Sequence, residues 1–235
     1  MSHAAAAPAA PLRVVYATRP RWPGKANARI AVLDSSFNPP TRAHLALATL
    51  GVDDRTEFDA HLLIYSVRNA DKGFGSGASL AQRAEMMTCL ARDVEDCLKQ
   101  RSPHHEPNVA VALVDEPLVF AKSTLVHSYV NDSPRLFWVV GSDTLTRVFN
   151  PKYYASQDDL AARSERFFGQ EGTSMICVDR PQQQGSSHDD AIDDLFAHSA
   201  VARAWRDAGR IELRTIGAQE ATYSSTKQRR CYPPV

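Results

Sequence analysis

The chain has 235 residues, 27 basic against 27 acidic side chains, 43% hydrophobic and 23% charged residues. This composition fits one globular domain and excludes a disordered, collagen-like or coiled-coil protein. Balanced charge leaves no basic field for a nucleic-acid backbone or an anionic membrane surface, and no apolar run approaches the roughly 18 residues of a membrane span. Cys89, Cys97, Cys177 and Cys231 form no C-x-x-C pair, so a reducing compartment, cytoplasm or nucleus, is expected.

The first 33 residues carry five basic side chains and no acid, and they open with MSHAAAAPAAP. Residues 1–28 therefore read as a flexible extension ahead of a domain over 29–235. Pro8, Pro11, Pro20 and Pro23 would interrupt the helix of a mitochondrial transit peptide. Short apolar runs then alternate with helical periodicity. Strands are expected at RIAVLD (29–34), HLLIYS (61–66), VAVALV (109–114), LFWVV (136–140), SMICV (174–178) and IELRTI (211–216). Such runs suit strands covered on both faces, and the alternation implies an α/β fold, a Rossmann-like doubly wound and mostly parallel sheet of five to six strands.

A first helix is expected from about Thr41 to Leu50, stopped by Gly51. A second begins at the capping box Ser79-Leu80-Ala81-Gln82. Leu80, Ala84, Met87, Leu90, Ala91, Val94 and Leu98 form its core face, with Cys89 and Cys97 taken as buried thiols. PQQQGSSHDD (181–190) reads as a surface loop, His104-His105-Glu106 as solvated, and Asp189, Asp190, Asp193 and Asp194 as charges that favour a helix start. No side-chain cluster has the spacing of a metal site.

Ligands of an open parallel sheet bind at the carboxyl ends of its strands. The first long strand runs there into Ser35-Ser36-Phe37-Asn38-Pro39-Pro40-Thr41-Arg42-Ala43-His44. This loop is neither a dinucleotide fingerprint nor a Walker loop. Its amides at Ser36 and Phe37, with a helix N-terminus behind them, suit an anion, and Thr41 and His44 share one helix face.

The string SFNPPTxxH resembles the (H/T)-x-G-H loop of the nucleotidylyltransferases. Its wording is closest to the nicotinamide-mononucleotide adenylyltransferases, in particular a fungal branch that writes DSSFNPPT. Near the C-terminus, Ser224-Ser225-Thr226-Lys227-Gln228-Arg229 resembles the family's ISSTxxR, a triphosphate-binding motif. Lys72, followed by Gly73, Gly75 and Gly77 in a segment suited to a mobile flap, matches the family lysine that reaches substrate phosphates. Gly141-Ser142-Asp143 matches the G-x-D that holds a ribose, and Asp143 could also cap the helix that follows.

The resemblance implies adenylyl transfer from ATP to nicotinamide mononucleotide, with nicotinate mononucleotide as a further acceptor and Mg2+ arriving with ATP. It assigns His44, Thr41, Lys72 and Arg229 to catalysis. Ser35, Ser36, Phe37, Gly141, Asp143, Ser224, Ser225 and Thr226 go to nucleotide binding, and Asn69, Phe120, Thr124, Tyr153 and Tyr154 to the acceptor. Partners are then small molecules, with neither nucleic acid nor membrane. Ala43 replaces the family glycine, and Pro233 and Pro234 would end a helix soon after Arg230. These departures leave two alternatives: another acceptor such as phosphopantetheine, or a nucleotide-binding regulatory module without turnover.

Overall fold

The computed structural model describes residues 11–50, 58–69, 73–74, 78–103, 106–179 and 188–215. Its centre is a seven-stranded sheet: β1 (Leu12–Ala17), β2 (Arg29–Asp34), β3 (Ala60–Ser66), β6 (Val109–Val114), β7 (Arg135–Gly141), β8 (Ser174–Asp179) and β9 (Ile211–Thr215), in the spatial order β1-β6-β3-β2-β7-β8-β9. All neighbours run parallel except β1, which lies antiparallel to β6. A separate ribbon pairs β4 (Arg68–Asn69) with β5 (Gly73–Phe74). The expected doubly wound α/β class is present, with one strand more than the upper expectation.

That extra strand is β1. Residues 12–28 are not part of a flexible extension. Leu12 is buried, Tyr16 Oη and Thr18 Oγ1 donate to Glu95 at 2.8 and 2.6 Å, and Asn108 Nδ2 donates to the carbonyl of Pro23 at 2.8 Å. Without β1, β6 would expose an unpaired row of backbone groups, and the antiparallel strand fills it. The Ala/Pro context hides a short strand covered chiefly on one face.

The two faces of the sheet bury separate clusters. Ala31, Leu33, Leu63, Val111 and Val139 pack with Leu47 of α1 (Arg42–Ala48) and with Met87, Leu90, Ala91, Val94 and Leu98 of α2 (Leu80–Arg101). Ile30, Val32, Leu62 and Trp138 pack on the other face. They meet α3 (Val119–Val130), α4 (Ser142–Val148), α5 (Gln157–Ser164), α6 (His188–His198) and α7 (Ala200–Asp207). Alternation of side chains along each strand produces this division. A π-helical turn, Glu165–Gln170, adds Phe167 and Phe168, and burial of each such ring stabilises by about 2 to 3 kcal/mol.

The capping box of α2 forms as expected, with Gln82 N–H donating to Ser79 Oγ. Its core face shifts by one residue at the start: Leu80 is exposed and Arg83 is buried. Cys89 is exposed and Cys97 half-buried, so neither is the buried thiol expected; both fall beside the stripe that packs on the sheet. Helix α1 begins after Thr41, and Gly51 lies outside the described residues, as do His104, His105 and 180–187. Asp189 and Asp190 fall in the first turn of α6. Among the described residues, no helix is long and apolar enough to cross a membrane.

Candidate active site

β2 sits between β3 and β7, and the chain leaves it toward opposite sheet edges, so the carboxyl ends of β2 and β7 flank the switch point of the fold. The loop after β2 is held there. Ser35 N–H donates to the carbonyl of Ile64 at 3.2 Å, and Arg83 Nη1 donates to the carbonyl of Ser36 at 3.3 Å. Phe37 is wholly buried at φ 42°, a left-handed conformation costly for a residue with a side chain, and its ring lies 5.0 Å from that of His44.

His44 is 8% exposed and closes an unusual capping box. The backbone N–H of Thr41 donates to its Nδ1 at 3.0 Å, and Thr41 Oγ1 lies 2.9 Å from the same nitrogen. Because an N–H fixes Nδ1 as an acceptor, the ring proton belongs to Nε2. Nε2 in turn lies 3.1 Å from Ser35 Oγ. The imidazole therefore presents one N–H, held in direction from behind, at the ligand edge of the sheet. A phosphate oxygen that displaced the serine hydroxyl would receive that proton donor and nearby backbone amides.

The register that pairs Leu33 with Val139 sets the turn after β7 alongside this loop. Gly141 precedes α4, and Asp143 stands in the first turn with a side chain 72% exposed, 3.7 Å from Arg147. Gly141 rather than Asp143 is the N-cap, so the carboxylate faces solvent at the carboxyl edge. Ser35, Ser36, Phe37, Thr41, His44, Gly141 and Asp143 are thus gathered at adjacent strand ends. Asn69 pairs with Gly73 in the ribbon, its side chain outside the described residues. Lys72, Ser224, Ser225, Thr226 and Arg229 also lie outside them.

Three acceptor candidates have their rings or polar atoms engaged by the protein itself. Phe120 is 3% exposed and packs against Phe149, Tyr154, Phe167 and Phe168, so its faces belong to the core. Tyr154 Oη donates to the carbonyl of Val148 at 2.6 Å, and burial pushes its phenol far above the ordinary range. Thr124 Oγ1 donates to Glu171 at 2.6 Å, at the amino end of β8 and away from the ligand edge. Tyr153 keeps a partly exposed ring with Lys152 Nζ 4.5 Å above it.

Two features of the site were not read from the sequence. Arg83 is buried beneath the loop, donating also to the carbonyl of Ala78 at 2.9 Å and lying over Tyr65. Lys122 and Asp34 form a buried ion pair, and Ser66 Oγ donates to Asp34 at 3.3 Å. A signal existed for each: Arg83 precedes Met87 by four residues, and Lys122 falls between Val119 and Val126 on an apolar stripe. Among the described residues, no group of three or more His, Cys, Asp or Glu side chains converges as a metal site would require.

No family model matches this chain. Over 161 residues, 68% of its length, it is 30% identical to a Schizosaccharomyces pombe (strain 972 / ATCC 24843) protein named "Putative nicotinamide mononucleotide adenylyltransferase", and it spans 57% of the length of that relative. Its fold is similar to that of the Plasmodium falciparum nicotinic acid mononucleotide adenylyltransferase complexed with NaAD. The TM-score is 0.53 at 12% identity, covering 86% of this chain and 83% of the other. The same enzyme complexed with APC gives a TM-score of 0.51 over the same shares.

Proposed function

We propose that this chain, similar in sequence to a protein named "Putative nicotinamide mononucleotide adenylyltransferase" and in fold to a nicotinic acid mononucleotide adenylyltransferase, transfers the adenylyl group of ATP to nicotinamide mononucleotide, with nicotinate mononucleotide as a second acceptor. The observation that carries the reading is the His44 imidazole, its Nδ1 bonded to the Thr41 amide and its Nε2–H aimed from the switch point of the sheet. A phosphate oxygen of the mononucleotide attacks the α-phosphorus of ATP. A new P–O bond forms, the bond to the bridging oxygen of the β-phosphate breaks, and pyrophosphate leaves with that electron pair. No protein nucleophile is required, so rate comes from alignment and charge stabilisation.

In this reading His44 donates Nε2–H to the phosphate where negative charge builds, and Thr41 and the amides of Ser36 and Phe37 assist it. Asp143 accepts ribose hydroxyls from the end of β7. Lys72 bridges the phosphate groups, and Ser224, Ser225, Thr226 and Arg229 hold the triphosphate, on the strength of their motifs in the sequence. Mg2+ enters as part of the MgATP substrate, bound mostly by phosphate and water.

The test is purified protein with MgATP and a panel of acceptors: nicotinamide mononucleotide, nicotinate mononucleotide and phosphopantetheine. Pyrophosphate and the pyridine dinucleotide are expected with the first two. Release with phosphopantetheine alone, or none with any acceptor at saturating nucleotide, overturns the proposal.

A further inference from the structure

Helix α3 connects the two halves of the doubly wound sheet, running from the carboxyl end of β6 back to the amino end of β7. Its stripe toward the sheet is Val119, Phe120, Ser123, Val126 and Val130, and Lys122 is buried with them at 3% exposure. Asp34, the last residue of β2, has the parity of Ile30 and Val32 and so faces α3 rather than α1. The lysine and aspartate side chains, 4% and 10% exposed, meet as an ion pair, and Ser66 Oγ from β3 gives Asp34 a second donor.

A buried ion pair is seldom more stabilising than apolar residues of the same shape, because both ions lose water, while loss of one partner leaves the other charge stranded. In some proteins such a pair fixes geometry without adding stability. Here the geometry it fixes is specific. Asp34 is bonded through the backbone to Ser35, whose hydroxyl lies 3.1 Å from Nε2 of His44.

We infer that the Lys122–Asp34 ion pair is a positioning device that anchors the strand end from which Ser35 and the His44 imidazole are aimed. Lys122 touches neither the imidazole nor the loop amides in this arrangement; it acts through Asp34. Three elements, α3, β2 and β3, are thereby locked at one point on the ligand edge. Helix α3 thus holds the chain at Asp34, while Arg83 from the opposite face holds it two residues farther on, at Ser36.

The consequence for turnover rests on the adenylyltransfer reading, whereas the placement of His44 does not. Four proteins decide it: wild type, Lys122→Met, Lys122→Arg, and the double variant Asp34→Asn/Lys122→Met, which strands no charge. Imidazole nitrogen resonances of His44, assigned with His44→Gln, report the ring without any reaction. Steady-state assays with MgATP and nicotinamide mononucleotide report kcat and KM, and thermal melting reports the folded fraction.

The expected result is a shifted His44 signal in Lys122→Met and in the double variant, kcat lowered tenfold or more with both KM values within about threefold, and partial recovery in Lys122→Arg. The double variant should regain melting temperature but not kcat, a separation that a purely structural pair would not produce. If Lys122→Met does not fold, the double variant carries the test alone. An unshifted His44 signal in the folded double variant, or a kcat that recovers with its melting temperature, overturns the inference. A wild-type protein without adenylyltransfer removes the proposed function and leaves the His44 resonances to decide the anchor.

Discussion

Arg83 Nη1 reaches from α2 to the carbonyl of Ser36, 3.3 Å away, so the second helix holds the loop from which the first one starts. The guanidinium also serves the carbonyl of Ala78 and covers the ring of Tyr65. Arg83→Met keeps bulk but removes the charged donor from two part-buried carbonyls, which costs about 1 to 3 kcal/mol. Urea unfolding should show that loss. An unchanged midpoint would mean that water replaces the guanidinium at no cost.

The His44 ring tests the proposed chemistry directly. His44→Ala should lower kcat about 10²-fold or more, the scale of one lost transition-state donor, and leave ATP affinity within a few-fold. Thr41→Val removes the hydroxyl beside Nδ1 but keeps the amide that fixes the tautomer, so its loss should be far smaller. Equal losses in the two variants would contradict the capping geometry as the source of ring orientation.

His61 gives a pH dependence unrelated to catalysis. It is buried in β3 with Nδ1 2.9 Å from the carbonyl of Ala48, and burial lowers its pKa to about 4. The unfolded chain, with an ordinary histidine near 6.5, binds more protons between those values, so stability rises with pH across that window and levels above it. The loss on acidification from pH 7 to 4 should be on the order of 3 kcal/mol from this residue. His61→Gln keeps a donor for Ala48 and removes the titration. Denaturation series at several pH values should show a flatter profile in that variant, and parallel profiles would exclude His61 as the cause.

The antiparallel edge predicts sensitivity where the sequence suggested none. Removal of residues 1–18 would strip β1 from β6 and take with it the Tyr16 and Thr18 bonds to Glu95. The melting temperature should fall by roughly 10 °C, and light scattering should reveal association through the bared strand. A truncated protein as stable and monodisperse as the full chain would refute this.

Arg229 and Arg230 form an internal comparison for the C-terminal motif. Arg229→Ala should weaken ATP by about 1.5 to 3 kcal/mol and nicotinamide mononucleotide much less. Arg230→Ala, adjacent and equally basic, should change neither by more than a small factor. Calorimetric titrations of both ligands would distinguish a placed guanidinium from general positive potential, which would affect both variants alike.

Much of the sheet could be read in advance because its central strands are buried on both faces and announce themselves as unbroken apolar runs. VAVALV and RIAVLD are such runs, while LRVVYA, at an edge and framed by Ala and Pro, is not. Local rules also sufficed for the Ser79 capping box and for the shared face of Thr41 and His44. They failed where residue type is ambiguous without tertiary contacts. Phe120 has the same ring whether it stacks on a ligand or on Phe167, and only packing distinguishes the two. The apolar stripe of α3 hints that Lys122 is buried but does not name its partner, because Asp34 lies 88 positions away.

Residue 37 is subject to two demands that no single amino acid meets. Its dihedral at φ 42° is one that glycine enters freely, while the space behind His44 is filled by a large ring with no exposure at all. Phenylalanine satisfies the second demand at the expense of the first. Glycine would relax the dihedral and open a void against the imidazole, and a branched aliphatic side chain would worsen the dihedral and fill the space poorly. Phe37 is the one residue of 35–41 with a positive φ. A saturation library across residues 35–41, selected for fold and turnover, should therefore come back nearly monomorphic at 37, the point where backbone and side chain have opposite interests.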